Sequence, residues 1–118
     1  MIKKLHYVWL GGKPLPANVK SCIASWKKKM PDWEIIQWNE TNFDINKHRW
    51  VREALQKKHY AFASDFIRLC VLEQYGGAYA DTDVEILKNI EPLLNNSFVA
   101  SFDNHRSSTG EIKFVSED

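Results

Sequence analysis

Gly76-Gly77-Ala78-Tyr79-Ala80-Asp81-Thr82-Asp83 is the stretch that decides the architecture. Its two glycines follow an apolar run over 61–75, and glycine tolerates the left-handed backbone common just past a helix end. A helix is therefore expected to close at Gly76, with Ala78 to Ala80 forming a short strand that leads out of the core. That strand delivers two acids. On an extended chain Asp81 and Asp83, separated by one residue, point to the same side. Their oxygens could then approach one hard divalent cation, Mg²⁺ or Mn²⁺, which keeps sites open for phosphate oxygens. Asp-x-Asp also occurs by chance in solvated turns. A solvated turn needs no apolar build-up, however, and in open α/β sheets ligands gather at the carboxyl ends of strands.

Working outward, Lys3 to Leu10 reads as a buried strand on its β-branched and aromatic bulk. Gly11-Gly12 breaks it, and Pro14 and Pro16 keep the next loop extended. Val19, Cys22, Ile23, Trp26 and Met30 form one stripe of a 3.6-residue period, which predicts a helix from Ala17 to Met30 that Pro31 ends. Trp33 to Trp38 is a second strand. Residues 46–58 read as a helix with a mostly polar surface, and the helix over Ala61 to Tyr75 is apolar enough to be expected deep in the domain. Val84 to Leu87 is expected to continue extended, and Phe98 to Phe102 is a further strand. Alternating strands and helices predict a three-layer α/β arrangement, a mostly parallel sheet flanked by helices. Asn104 to Asp118 is polar, without a clear period or an obvious closing element.

At 118 residues the chain can bury one core. Sixteen Lys plus Arg against fifteen Asp plus Glu leave a formal net charge of +1, which gives no field for gathering nucleic acid or an anionic membrane. No run approaches the ~20 apolar residues of a membrane span, and Met1 to Leu10 is too short and too broken by Lys and His for a signal peptide. Cys22 and Cys70 both fall on apolar helix faces and read as reduced core residues. A cytoplasmic protein is the expectation.

Asp65 and Arg68 lie three apart on the apolar helix, hence on one face. They read either as an intrahelical ion pair or as a carboxylate and a guanidinium that share a polar ligand such as a sugar. Trp9, just before Gly11-Gly12, reads either as a core residue or as a ring offered to a planar base, with the glycines letting a ligand pass close to the backbone. His6, His48, His59 and His105 have no metal-ligand spacing and read as structural or surface residues. Ser21, Ser25 and Ser64 lack a base partner, so nothing supports a serine nucleophile.

Three blocks together, His6-Tyr7-Val8-Trp9-Leu10-Gly11-Gly12, Ala61-Phe62-Ala63-Ser64-Asp65-Phe66-Ile67-Arg68 and Gly76 to Asp83, resemble glycosyltransferases with a DXD-containing sugar-binding region. That is glycosyltransferase family 32, the capsular-polysaccharide type, and the same blocks look like the catalytic core of the clostridial glucosylating toxins. The resemblance covers roughly residues 4–103, with 104–118 standing as the polar start of a missing acceptor region. It implies a GT-A fold and a nucleotide-sugar donor, UDP-linked, with retention of anomeric configuration. Trp9 then matches the residue that stacks on uracil, with Val8 beside it. Asp65 and Arg68 match positions that grip the donor sugar, with Ala61 and Ser64 lining the same site. Tyr79 matches a residue near the diphosphate, Asp81 an acid reaching ribose and the metal through solvent, and Asp83 the direct metal ligand.

The expected activity is metal-dependent transfer of a hexose from a UDP-sugar to a saccharide acceptor, in the cytoplasm and peripheral to the membrane beside a polysaccharide assembly system. A non-catalytic nucleotide-sugar-binding domain and a protein-glycosylating effector are the alternatives. A metal-dependent phosphodiesterase is disfavoured, because no further acidic or histidine cluster supplies a second metal site.

Overall fold

The computed structural model describes residues 1–94, 98–102 and 112–116. Strand β1 (Lys4–Val8) is the centre of a three-stranded parallel sheet, with β2 (Glu34–Trp38) on one side and β3 (Ala78–Tyr79) on the other. Helix α1 (Ala17–Lys29) connects β1 to β2, and α2 (Arg49–Gln56) and α3 (Tyr60–Tyr75) connect β2 to β3. The short helix α4 (Glu91–Leu94) follows, and β4 (Phe98–Phe102) pairs antiparallel with β5 (Ile112–Ser116) as a separate two-stranded sheet. The predicted three-layer α/β arrangement is present. The polar C-terminal stretch, expected to have no closing element, carries β5.

Alternation along β1 divides the core. Leu5 and Tyr7 face α1 and pack with Val19, Ile23, Trp26 and Met30. Val8 faces the opposite layer and packs with Trp38, Val51, Ala63, Ile67 and Val71 of β2, α2 and α3. Burying each such branched aliphatic side chain contributes roughly 1.5–3 kcal/mol. The α1 stripe read from the sequence is this buried face, and Lys27, Lys28 and Lys29 crowd its last turn, where cations favour the helix dipole.

Four expectations change. β1 stops at Val8, so Trp9 and Leu10 lie beyond the strand. The helix expected over 46–58 is a 3-10 turn (Ile45–Lys47) and then α2, separated at His48, whose backbone is extended. α3 is not deep on all sides, since only Ala63, Ile67 and Val71 are buried while Phe62 and Leu69 are exposed. Its apolar content exceeds what one buried face needs. Finally, the chain after β3 does not run on extended: Thr82 and Asp83 form a turn, closed by the Val84 amide donating to the Asp81 carbonyl at 3.1 Å. Among the described residues no helix is long and apolar enough to cross a membrane.

A buried histidine ties these elements together. His6 is fully buried on β1. Trp38 donates its indole N–H to His6 Nδ1 at 3.0 Å, which makes Nδ1 an acceptor. The ring proton therefore sits on Nε2, which donates to the Gly76 carbonyl at 2.8 Å. Burial holds the imidazole below its ordinary pKa, so the neutral form dominates. The residue read as structural or surface is thus the joint between β1, β2 and the end of α3. Beside it Gly77, at φ 90°, lies so close to β1 that a Cβ would overlap the Lys4 carbonyl. No other residue fits there, and this close approach aims β3 and the acids that follow.

Candidate functional site

The carboxyl ends of β1 and β3 lie side by side, paired in parallel through Leu5 with Ala78 and His6 with Tyr79. The Ala80 amide donates to the His6 carbonyl at 3.0 Å and carries the alignment one residue further. Val8, with Trp9 just beyond it, therefore ends one strand close to where Tyr79 ends the other and Ala80 and Asp81 follow, at the switch point where open α/β sheets bind ligands. α3 packs against both strands and brings Arg68, with Asp65 beside it, to this edge; Ala61 and Ser64 stand earlier on the same helix.

Arg68 joins the two parts. Its guanidinium lies over the Tyr79 ring, 5.6 Å from the centroid, and its Nη2 stands 3.5 Å from Asp65 Oδ1. The Asp65 side chain is 69% exposed and that of Arg68 38%, so the pair is not a buried one. At such exposure the ion pair itself contributes little. Both charged heads remain open to solvent at the strand ends. Tyr79 is half-buried, and its hydroxyl is held well above its usual pKa by burial first and the Asp81 charge second, with Arg68 opposing.

Asp81 is solvent-exposed, yet neighbouring protein atoms withdraw part of its hydration, and this raises its carboxyl pKa. The negative charge of Asp83 adds to that rise, and Arg68 opposes it. Asp83, also exposed, lies near enough to Cys22 of α1 for its charge to push the thiol upward, behind burial and Glu85. The turn at 82–83 takes the place of the extended segment expected here: the charges of Arg68 and Asp65 on α3 act on Asp81, and the charge of Asp83 reaches Asp81 and Cys22 of α1.

The donor set fits a hard divalent cation. Two neighbouring carboxylates, with the charge of Asp83 raising the proton affinity of Asp81, are the kind of oxygen ligands Mg²⁺ or Mn²⁺ takes together with phosphate oxygens and water. Among the described residues no group of three or more His, Cys, Asp or Glu forms a metal cage.

Trp9 is half-buried against the α1-side core, with its indole N–H donated to the Lys13 carbonyl at 2.8 Å. It is partly a core residue, and part of its ring stays open. Gly11, at φ 96°, faces the Tyr60 ring, which would stand 3.3 Å from a Cβ at that position, so one of the two glycines expected to admit a ligand is covered by an aromatic side chain instead. Gly12, at φ 73°, has open space around it. The Gly11 amide donates to Glu40 Oε2 at 2.7 Å and ties this loop to the end of β2. Cys22 and Cys70 are free, half-buried thiols. Sequence reasoning passed over Glu40, because one acid in a polar turn carries no signal until the loop it bonds is known.

Comparison with known proteins agrees with this architecture. The family model described as a glycosyltransferase sugar-binding region containing the DXD motif matches residues 16–100. The chain is 25% identical over 109 residues to subversion of eukaryotic traffic protein A of Legionella pneumophila, covering 70% of this chain and 17% of that protein. It is 25% identical over 100 residues to inositol phosphoceramide mannosyltransferase 1 of Schizosaccharomyces pombe, covering 79% of this chain and 31% of that one. The solved PaToxG glycosyltransferase superposes with a TM-score of 0.59 at 22% identity, over 74% of this chain and 44% of that chain, a likeness of fold. The chain therefore spans less than half the length of each of these proteins. Matched over most of its length, it belongs to the glycosyltransferase family defined by a sugar-binding region with the DXD motif.

Proposed function

We propose that residues 1–103 form the donor-binding part of a glycosyltransferase that moves a hexose from a UDP-sugar to a saccharide acceptor, with retention. The observation that carries this reading is the convergence of Asp81, Asp83, Tyr79, Arg68 and Asp65 at the carboxyl ends of β1 and β3. Trp9 and Val8 take the base, Arg68 and Asp65 take sugar hydroxyls with Ala61 and Ser64 beside them, and Tyr79 lies near the diphosphate. Asp83 holds the cation directly, and Asp81 reaches it through water while bonding ribose. A bound Mn²⁺ or Mg²⁺ would offset the negative charge that grows on the departing nucleoside diphosphate. The chain's own residues position the donor, and orientation is a large part of the rate in such transfers. The reading goes with a cytoplasmic enzyme at the membrane face, working beside a polysaccharide assembly system.

The relative named as an inositol phosphoceramide mannosyltransferase supports a second reading, in which the sugar is mannose and the acceptor an inositol phosphoceramide. One screen separates them. Ligands that bind only the folded state raise its melting temperature by mass action. UDP-hexoses with Mn²⁺ are expected to raise it most; a rise confined to GDP-mannose favours the second reading, and no rise with any nucleotide-sugar contradicts both.

A further inference from the structure

Two neighbouring side chains of α1 hold the backbone that follows Asp83. Trp26 is fully buried and donates its indole N–H to the Val84 carbonyl at 2.7 Å. Ser25 Oγ accepts the Ile86 amide at 2.9 Å and donates its own proton to the Cys22 carbonyl at 2.6 Å. The hydroxyl is thereby used in both directions, and its orientation is set by the helix. Val84 and Ile86 are buried between these bonds, whereas Asp83 and Glu85 are exposed. The segment is fastened at every second residue, and the acids are left facing outward. On its other side the Val84 amide closes the turn onto the Asp81 carbonyl. Asp83 therefore sits on a turn clamped from both ends, by β3 and by α1.

A cation discriminates sharply between a ligand held in place and one that wanders, because the order lost on binding has then already been paid by the fold. We propose that Ser25 and Trp26 are positioning residues that set the Asp83 carboxylate for the divalent cation, acting through Val84 and Ile86. This rests on the donor-site reading above. Trp26 is fully buried and the Ser25 hydroxyl is spent on backbone groups, so neither is offered as a ligand. Their effect is confined to where Asp83 stands.

The test measures Mn²⁺ affinity in the presence of UDP, from the free-Mn²⁺ electron paramagnetic resonance signal, alongside metal-free UDP affinity and unfolding. Ser25→Ala and Trp26→Phe are expected to weaken Mn²⁺ binding about tenfold, as second-layer changes at metal sites do, while metal-free UDP affinity stays put. Ser25→Thr, which keeps the hydroxyl, is expected to restore it. Trp33→Phe is the control: it deletes a comparable indole hydrogen bond, to Glu91 at 2.8 Å, from the same core cluster. It should lower stability and leave Mn²⁺ affinity unchanged. Ser25→Ala leaves the indole packing intact, so the test stands even if Trp26→Phe does not fold. Wild-type Mn²⁺ affinity in Ser25→Ala, with Asp83→Asn losing it, overturns the proposal alone, as does a loss in Trp33→Phe equal to that in Trp26→Phe. Wild-type Mn²⁺ affinity in Asp83→Asn overturns the donor-site reading, and this proposal with it.

Discussion

Arg68 lies over the ring of Tyr79, 5.6 Å from its centroid, and this contact joins α3 to the end of β3. A cation over an aromatic face at a partly exposed site contributes about 0.5–1 kcal/mol. The larger consequence is geometric: the guanidinium is held beside the strand end, 3.5 Å from Asp65 and near enough to Asp81 for its charge to act on that acid. Arg68→Ala is expected to weaken UDP-sugar binding at least about tenfold while changing UDP binding by less than half that factor, measured by calorimetry with Mn²⁺. Arg68→Lys should recover little, since an ammonium keeps the charge and loses the fork. Equal losses for UDP and UDP-sugar would return Asp65 and Arg68 to a plain surface ion pair.

Trp9 carries the base in this account. Aromatic–base stacking contributes about 1–3 kcal/mol by alanine substitution, so Trp9→Ala should cost roughly ten- to a hundredfold in UDP affinity. Trp9→Tyr should restore part of it. The ring also packs on the α1-side core, so affinity and unfolding free energy are measured on the same variant. A variant much less stable, but binding UDP normally in its folded fraction, would make Trp9 a core residue only.

His6 predicts a pH dependence of stability. Its folded-state pKa is lowered from about 6.5 by burial, with Lys4 acting in the same direction and the Gly76 bond and Glu34 opposing. Below about pH 6.5 the unfolded chain takes a proton that the folded chain refuses. Stability is therefore complete above that pH and is lost as pH falls toward the lowered pKa. Urea unfolding at about pH 7.5 and about pH 5.5 should show this loss in the wild type. His6→Gln, less stable at the higher pH, should show a smaller change between the two. Identical pH slopes would mean that His6 does not titrate against folding.

The glycines give a graded test of the backbone. Gly12→Ala meets no atom and carries only the left-handed cost, about 1–2 kcal/mol. Gly77→Ala adds an overlap with the Lys4 carbonyl that only separation of β1 from β3 relieves, so its loss of stability should clearly exceed that of Gly12→Ala. Chemical denaturation of both variants decides; equal losses would place no constraint on the approach of β3 to β1.

Much of this architecture is legible in the sequence because periodicity and burial coincide. The stripe from Val19 to Met30 is the buried face of α1, and the glycine pair at 76–77 ends α3 where its left-handed backbone is needed. The bends are less legible. Thr82 and Asp83 form a turn because Val84 and Ile86 are drawn back under α1 by Trp26 and Ser25, contacts across 58 and 61 residues that no local pattern announces. α3 misleads for the opposite reason: its apolar run is expected deep in the domain, yet Phe62 and Leu69 are exposed. The juxtaposition of Arg68 with Tyr79 and Asp81 likewise needs the crossing of α3 over β3, which spacing along the chain does not encode.

The central claim is that Asp83, with Asp81, binds a divalent cation that in turn holds the nucleotide. Calorimetry of UDP binding with and without Mn²⁺, on the wild type, Asp83→Asn and Asp81→Asn, tests it most directly. The account predicts that Mn²⁺ strengthens UDP binding in the wild type, that Asp83→Asn abolishes this gain, and that Asp81→Asn reduces it. Mn²⁺-dependent UDP affinity unchanged in both variants would contradict it.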